Sequence, residues 1–218
     1  MKISKEVINV LKNYASISNN LRIYPGNVLA TLGPQQNIFA KITVADTFPV
    51  DACIYNLNTL LEILNIYEDQ EVEFGEKSLT VAKGSDNFEY TYADPSVIIA
   101  PPAGKSIEID NQFEFKLSSA DCVMIRKAAG LTGAEQIKIE AKNGQAVLTV
   151  GDKANSMKHS RVIGQTDLTF TALLDVGLFL VLPEDYTVVL SKMKFLHFKS
   201  ETANVPEYWI ALDPKSVI

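Results

Sequence analysis

The chain has 218 residues, of which 47% are apolar and 21% are charged, and its formal net charge is −6. These are ordinary globular values, and they exclude a disordered or fibrous protein. No stretch approaches the roughly 20 uninterrupted apolar residues of a membrane span, and the first six residues carry charges where a secretory signal needs an apolar core. We therefore expect a cytoplasmic protein with no membrane partner. Cys53 and Cys122 are isolated in sequence, which fits a reducing compartment.

The sequence repeats itself across its two halves. Lys-Ile-Ser at residues 2–4 recurs as Lys-Leu-Ser at residues 116–118, and each half ends on an aromatic strand followed by Asp-Pro. A period this long is not a solenoid unit of about 20 to 50 residues. It predicts two similar domains in tandem, at residues 1–94 and 109–218, with a proline-rich connector at residues 95–108 that cannot pair as an interior strand.

The first predicted helix starts at the N-cap Ser4 and runs to residue 15, with apolar residues recurring at helical spacing on one side. The other side carries Lys5 and Lys12, which lie about 20° apart around the helix axis. A basic helix face in an acidic chain favours a surface for a polyanion. An ordinary solvated face is the alternative.

The matching helix of the second half follows Ser118 and Asp121, which resemble a capping box. Arg126 stands where Lys12 stands in the first copy, and Lys127 follows it. The same sign of charge at matching positions strengthens the polyanion interpretation for both helices. The predicted apolar side of this helix consists of Cys122, Met124, Ile125, Ala128 and Ala129.

Strands and a second helix follow in each half. Hairpins are predicted for residues 21–24 with 28–31, around Pro25-Gly26-Asn27, and for residues 137–141 with 146–150, around Asn143-Gly144. A second helix is predicted at residues 57–67, and a shorter one at residues 173–182. Other strands are expected at 39–44, 72–74, 79–82, 88–92, 161–163, 187–190, 195–198 and 208–212. The fold class is therefore α+β, with two helices packed on antiparallel sheets in each half.

Catalytic chemistry has no clear carrier in the sequence. His159 and His197 lie near no cysteine or carboxylate at metal-ligand spacing, and glycine-rich phosphate loops and nucleophile motifs are absent. The acidic run from Glu62 to Glu76 spans a helix end and a strand, unlike a compact calcium loop. We interpret it as a solvated face, with a metal cluster as the alternative. The sequence therefore predicts a protein that is not an enzyme and holds no cofactor or metal.

An ordered set of segments gives the chain a family resemblance. Residues 3–17, the segment Val-Asp-Ala-Cys-Ile-Tyr-Asn-Leu-Asn at 50–58, and Tyr-Ala-Asp-Pro-Ser-Val-Ile-Ile-Ala-Pro at 92–101 resemble the DNA polymerase sliding clamps, or processivity factors, of the T-even-type bacteriophages. The resemblance covers the whole chain, including its length and its two-domain repeat.

That resemblance implies a homotrimer forming a six-domain ring, with helices lining a hole for duplex DNA that is bound without sequence preference. It also implies the replicative DNA polymerase and an ATP-dependent clamp loader as partners, and late-transcription factors as further ones. The expected DNA-facing residues are Lys5, Lys12, Arg126 and Lys127, with Lys2 and Lys116 at the helix starts. Lys153, Lys158 and Arg161 are expected to form a basic segment at one rim of the ring. A plain solvated loop is the alternative.

The resemblance also implies an apolar pocket for the tails of partner proteins, beside the connector and the last strand. The matching positions are Ile38, Phe39, Ile98, Ile99, Pro183, Ala211 and Leu212. Completion of the domain core is the alternative for these residues. Two other functions stay open at this point, a structural scaffold with duplicated β-rich domains and no role on DNA, and an enzyme that uses the acidic run.

Overall fold

The computed structural model describes residues 1–66, 71–152, 154 and 156–218. The chain divides into two compact units, Met1–Ser106 and Ile107–Ile218. The segment 95–108 belongs mostly to the first unit. The acidic turn and helix end expected at residues 67–70, and the predicted basic residue Lys153, lie outside the described residues.

The described part of the first unit contains two α-helices, α1 (Lys5–Ile17) and α2 (Leu57–Ile66), and seven strands. The strands are β1 (Leu21–Ile23), β2 (Gly26–Leu32), β3 (Ile38–Phe48), β4 (Ala52–Ile54), β5 (Glu71–Phe74), β6 (Ser78–Lys83) and β7 (Asp86–Thr91). Within this unit β1 pairs with β4, β2 pairs with β3, and β5, β6 and β7 form a meander, all antiparallel.

The described part of the second unit contains one α-helix, α3 (Ser119–Thr132), and eight strands. The strands are β8 (Asn111–Leu117), β9 (Gln136–Lys142), β10 (Gln145–Gly151), β11 (Lys158–Gln165), β12 (Phe170–Asp175), β13 (Tyr186–Ser191), β14 (Phe195–Lys199) and β15 (Glu207–Ala211). They form two antiparallel arrays, in the orders β11-β10-β9-β12 and β8-β13-β14-β15. The predicted α+β class is confirmed.

The first helix forms as its sequence predicts. Ser4 is in extended conformation, and its hydroxyl oxygen accepts a hydrogen bond from the backbone N–H of Val7 at 3.2 Å. Val10 and Leu11 are 1% exposed, and each such burial contributes about 1.5 to 3 kcal/mol. The buried Tyr14 hydroxyl donates to the carbonyl of Leu29, which fixes α1 on β2.

The third helix carries the capping box that its sequence predicts. The Ser118 hydroxyl accepts from the Asp121 backbone N–H, and the Asp121 carboxylate accepts from the Ser118 backbone N–H at 2.8 Å. The helix ends at Gly133, which adopts the left-handed conformation that glycine allows. One part of the prediction is wrong, because Met124 is 47% exposed and lies off the buried face.

One of the two predicted hairpins is confirmed and the other is wrong. Strands β9 and β10 pair around Asn143 and Gly144, both with positive φ, as a tight hairpin turn requires. The predicted pairing of 21–24 with 28–31 does not occur, because β1 pairs with β4. Pro25 cannot donate to a ladder, and β2 instead turns into β3 through residues 33–37, where Gln36 has a φ of 56°.

The predicted second helix of the second half, at residues 173–182, is also wrong. Phe170, Ala172 and Leu174 are buried while Thr171 and Leu173 are half-buried, and this period of two belongs to strand β12. The strand ends at Asp175, whose carboxylate accepts from the Gly177 N–H and supports a single 3-10 turn, Val176–Leu178. The apolar pattern of this segment is compatible with a helix or with a strand, and burial against β9 makes it a strand.

Candidate nucleic-acid interface and partner surfaces

The face of α1 turned away from the core is polar and carries two lysines. Lys5 and Lys12 are exposed, and Asn9 and Ser16 continue the stripe at helical spacing. Neither lysine has an ion-pair partner among the described residues. The exposed Glu6 in the first turn offsets one of the two charges and suits the positive end of the helix dipole.

The neighbouring helix α2 adds no positive charge to this surface. It packs against α1, and the Asn19 side chain accepts hydrogen bonds from the backbone and the amide of Asn58 at the start of α2. The exposed positions of α2 carry Glu62 and Asn65, and the Asn65 amide donates to the carbonyl of Leu61. The cationic stripe is therefore confined to α1 in this unit.

The two predicted cations of α3 differ in what they contact. The Arg126 guanidinium donates to the carbonyl of Val181 and lies 5.6 Å above the ring of Phe179, so it is tied to the segment after β12. Lys127 is exposed and has no ion-pair partner among the residues described. Of the two, Lys127 is the side chain whose charge is available to a ligand.

The rest of the exposed surface of α3 is apolar. Val123 is 38% exposed, Met124 47% and Leu131 77%. Met124 and Leu131 lie on the same flank of the helix as Asp121, within about 80° around the axis. Because Asp121 contacts Arg161 of β11, this flank faces β11. The exposed faces of the two matching helices, α1 and α3, therefore differ in character, which the sequence repeat does not predict.

The basic segment around β11 is divided between two faces of the strand. The Arg161 guanidinium forms an ion pair with the Asp121 carboxylate, so it lies on the face toward α3. Strand residues alternate, and Lys158 therefore projects from the opposite face. The predicted trio is not a single cluster, since these two side chains diverge and Lys153 is outside the described residues.

Lys2 and Lys116 precede α1 and α3 and are both exposed. Lys116 lies in β8 opposite Thr187, on the strand face away from the buried Phe115 and Leu117. It stands beside the exposed Glu114 on that face. These two lysines are surface residues, and Lys116 projects from a sheet face rather than from a helix.

The residues expected to bind partner tails differ in their exposure. In the first unit Ile38 and Phe39 are 2% and 3% exposed, whereas Ile98 is half-buried and Ile99 is 40% exposed. In the second unit Leu212 is buried, and its N–H donates to the carbonyl of Lys194. Its other two positions, Pro183 and Ala211, are half-buried. Ile99 is therefore the one exposed side chain among the residues predicted for this pocket.

Sequence reasoning missed a set of contacts that holds the connector against the first unit. The Arg22 guanidinium donates two hydrogen bonds to Asp51, at 2.9 and 2.6 Å, and lies 4.8 Å above the ring of Tyr24. These bonds from Arg22 lower the pKa of Asp51. The Tyr24 hydroxyl donates to the carbonyl of Pro101 at 3.2 Å. No sequence motif marks these residues, because the contact joins segments far apart in the chain.

The described residues include no group of three or more His, Cys, Asp or Glu side chains placed to hold a metal ion. Among the helices described, none combines the length and the apolar character needed to cross a membrane.

Comparison with known proteins gives concordant results. The family model described as DNA polymerase processivity factor matches residues 4–100. The chain is 27% identical to the sliding clamp of Vibrio phage KVP40, over 100% of this chain and 92% of that protein. It is 25% identical to the sliding clamp of Enterobacteria phage T4, over 99% of this chain and 98% of that protein.

Solved structures extend the likeness to the fold. The proliferating cellular nuclear antigen of Entamoeba histolytica superposes with a TM-score of 0.70 at 15% identity, covering 95% of this chain and 94% of that chain. The structure of A. fulgidus PCNA with the C-terminal region of FEN-1 bound gives a TM-score of 0.70 at 13% identity, over 96% of each chain. The resemblance found in the sequence is confirmed: the chain is similar over its whole length to sliding clamps of T4-like phages, and the DNA polymerase processivity factor model matches within its first unit.

Proposed function

We propose that this protein encircles duplex DNA as a ring and tethers the replicative DNA polymerase during synthesis. The observation that carries the proposal is the cationic stripe of α1, with Lys5 and Lys12 exposed and unpaired among the described residues, in a chain of net charge −6. Acidic surfaces repel DNA, so contact is favoured only where such cations line a passage.

The charge density of this surface suits sliding rather than tight binding. Contacts between lysines and phosphates carry no sequence information, and each adds only a modest, salt-dependent free energy. A closed ring does not need tighter binding, because its topology keeps it on the duplex. In the ring that the resemblance implies, Lys127 of α3 would add to this lining, while the contacts of Arg126 with Val181 and Phe179 leave it less able to follow a moving phosphate.

Ring closure needs two different surfaces that complement each other, and the sheet edges supply candidates. The backbone of residue 1 pairs with Val72 along the outer edge of β5, and Val217 exchanges two hydrogen bonds with Thr171 of β12. Strands β7 and β11 pair with only one neighbour each among the described residues. An unpaired edge invites another strand, so we infer that β7 of one copy pairs with β11 of the next.

The chemistry of these two edges is complementary. β7 presents Asp86 and Glu89, whereas β11 presents Lys158, with Arg161 on its other face paired with Asp121. Each edge also exposes apolar surface, with Phe88 41% exposed on β7 and Val162 54% exposed on β11. Unlike edges favour head-to-tail association over a symmetric dimer. Three chains are the number that the family resemblance implies.

The apolar flank of α3 extends the same interface. Met124 and Leu131 face the side of the helix that borders β11, so a copy paired with β11 would cover them. Covering such side chains contributes roughly 25 cal/mol for each Å² of apolar surface removed from water. This flank gives the subunit contact an apolar centre beside its charged edges.

The experiment that tests the function is retention on DNA. Loaded by its cognate clamp loader with ATP, the protein should remain on a nicked circular duplex and should be lost when that circle is cut once. Equal retention on the circular and linear forms would contradict topological binding. Equilibrium sedimentation should give the mass of three chains, and a monomer at all concentrations would count against a ring.

The partner proteins follow from the same proposal. The polymerase would bind through the connector residues Ile99, which is exposed, and Ile98, which is half-buried, because an apolar tail can cover them. The ATP-dependent loader would open the head-to-tail contact, and late-transcription factors would compete for the tail site. Stimulation of the polymerase should fall when Ile99 is changed to Asp, while retention on nicked circles stays unchanged.

A further inference from the structure

The connector is attached at two points to one two-stranded ladder of the first unit. Strands β1 and β4 pair so that Arg22 lies opposite Cys53. The Cys53 carbonyl accepts a hydrogen bond at 2.9 Å from the N–H of Ala93, just before the connector. Tyr24 directly follows β1, and its hydroxyl donates to the carbonyl of Pro101 at 3.2 Å. The segment from residue 93 to residue 101 is therefore held at both ends by the same pair of strands.

The span between these two attachments has few contacts of its own. Near the first attachment the Asp94 carboxylate accepts from the N–H of Ser96 at 2.8 Å and supports the 3-10 turn Pro95–Val97. Past this turn, Ile99 and Ala100 make no backbone hydrogen bond within the described part of the first unit. The conformation of the span therefore depends on its ends, and at the second end on one tyrosine hydroxyl.

Tyr24 is itself fixed from below. Its ring is half-buried, and the Arg22 guanidinium lies 4.8 Å from the ring centroid. That guanidinium donates two hydrogen bonds to the Asp51 carboxylate, at 2.9 and 2.6 Å. A planar fork bound at two points holds its orientation better than a single charge does. The hydroxyl is thus directed at Pro101 before any partner binds.

We propose that Tyr24 is a positioning residue for polymerase binding. It fixes the connector at Pro101, so that Ile98 and Ile99 are presented in one conformation, and the guanidinium of Arg22 supports it from the other side of the ring. Without the hydroxyl the span samples more conformations, which a partner must order at an entropic cost. The inference rests on the proposed function, since it takes the connector as the polymerase contact.

Tyr24→Phe tests the proposal, because it keeps the ring and removes only the hydroxyl. The assay is synthesis by the cognate replicative polymerase on primed circles already carrying the loaded ring. The polymerase concentration for half-maximal synthesis should rise roughly threefold to tenfold, the range that one hydrogen bond contributes. The maximal rate should stay unchanged, since a saturating partner orders the span. Amide hydrogen exchange of residues 98–100 should become faster in the free protein.

Tyr186→Phe is the matched control for a general loss of stability. The Tyr186 hydroxyl donates to the carbonyl of Leu182 at 2.9 Å in the second unit, so this variant loses the same kind of bond. Its half-saturating polymerase concentration should equal that of the unaltered protein.

Arg22→Lys tests the support of the ring. It keeps the positive charge but cannot form both bonds to Asp51, so the half-saturating concentration should rise by a smaller factor than in Tyr24→Phe. Combined with Tyr24→Phe it should add little, because Arg22 acts through Tyr24. Additive effects of the two substitutions would contradict that order of action.

The remaining outcomes separate this inference from the proposed function. An unchanged half-saturating concentration in Tyr24→Phe, an equal rise in Tyr186→Phe, or a lower maximal rate would each overturn the role of Tyr24 alone. If the unaltered protein is not retained on nicked circles, or does not stimulate the polymerase, the proposed function is overturned and this inference with it.

Discussion

The carboxylate of Asp121 closes the capping box of α3 and at the same time forms an ion pair with Arg161 of β11. One side chain thus joins the start of the helix to the edge strand proposed to meet the next subunit. The link lies in a half-buried setting, with the Asp121 side chain 11% exposed and the Arg161 side chain 47% exposed.

Substitutions at this pair should be coupled. Asp121→Asn and Arg161→Gln should each lower the free energy of unfolding by about 1 kcal/mol, because a cap or a partly buried charge pair is lost. The double variant should lose less than the sum, as urea titrations of a double-mutant cycle would measure. As a control, Lys138→Gln breaks the exposed Lys138–Glu140 pair and should cost less than about 0.5 kcal/mol. Full additivity would contradict the coupling.

Reversing the charge of the α1 stripe should weaken the hold on DNA. Lys5→Glu with Lys12→Glu should reduce loader-dependent retention on nicked circles severalfold and flatten its dependence on salt, because phosphate contacts are lost. The matched control reverses Lys83 and Lys199, two exposed lysines on strands. Equal loss in both double variants would mean that overall charge, rather than this helix face, controls retention.

Substitution of the two neighbouring cations of α3 should have different effects, one on stability and the other on DNA binding. Arg126→Ala should lower the free energy of unfolding by about 1 kcal/mol or more, since it removes the bond to Val181 and the contact with Phe179. Lys127→Ala should change stability by less than about 0.5 kcal/mol yet weaken retention on DNA. Thermal unfolding and the nicked-circle assay measure the two effects. The reverse pattern would contradict the assignment of these two side chains.

The apolar flank of α3 should control association. Met124→Asp and Leu131→Asp place a charge in the proposed subunit contact, so each should raise the trimer dissociation constant at least roughly tenfold. Met193→Asp, at a residue 63% exposed in the β13–β14 turn, is the control and should leave the trimer intact. Sedimentation equilibrium measures the trimer dissociation constant. Trimers of unchanged stability in all three variants would exclude this flank from the interface.

His197 should make stability sensitive to acid. Burial lowers its pKa below 6.5, and the hydrogen bond that the imidazole donates to the Glu207 carboxylate only partly offsets this. The unfolded chain therefore binds the proton first, so the contribution of His197 is present above pH 6.5 and is lost as the pH falls toward the folded-state pKa. The loss approaches about 1.4 kcal/mol per pH unit in that window. Urea titrations from pH 7 to 5 should show a shallower loss for His197→Gln.

Local signals in the sequence were sufficient for part of this structure. The caps at Ser4 and Ser118 and the Asn143-Gly144 turn act within a few residues, and the elements they define form as predicted. Pairing between distant segments was not predictable in this way. β1 joins β4, and residues 170–175 form a strand, because burial against remote partners outweighs local pattern.

The same limit applies to the site. Exposure of Lys5, Lys12 and Lys127 follows from helical period alone. The contacts of Arg126 do not follow from it, because its partners Phe179 and Val181 lie in residues 173–182, which the sequence pattern wrongly predicts to form a helix. The contact between Tyr24 and the connector has no signature either, since Tyr24 and Pro101 meet only after folding.

The contrast between α1 and α3 bears on how a duplex would sit inside an assembly of identical chains. In the proposed ring the charge on α1 comes from Lys5 and Lys12, whereas on α3 the exposed Lys127 stands beside apolar side chains such as Val123, so attraction would vary around the circumference with the periodicity of chains rather than of domains. A rod-shaped polyanion in that field has off-axis resting positions. The duplex would lie closer to one subunit and move among the equivalent positions as the polymerase advances.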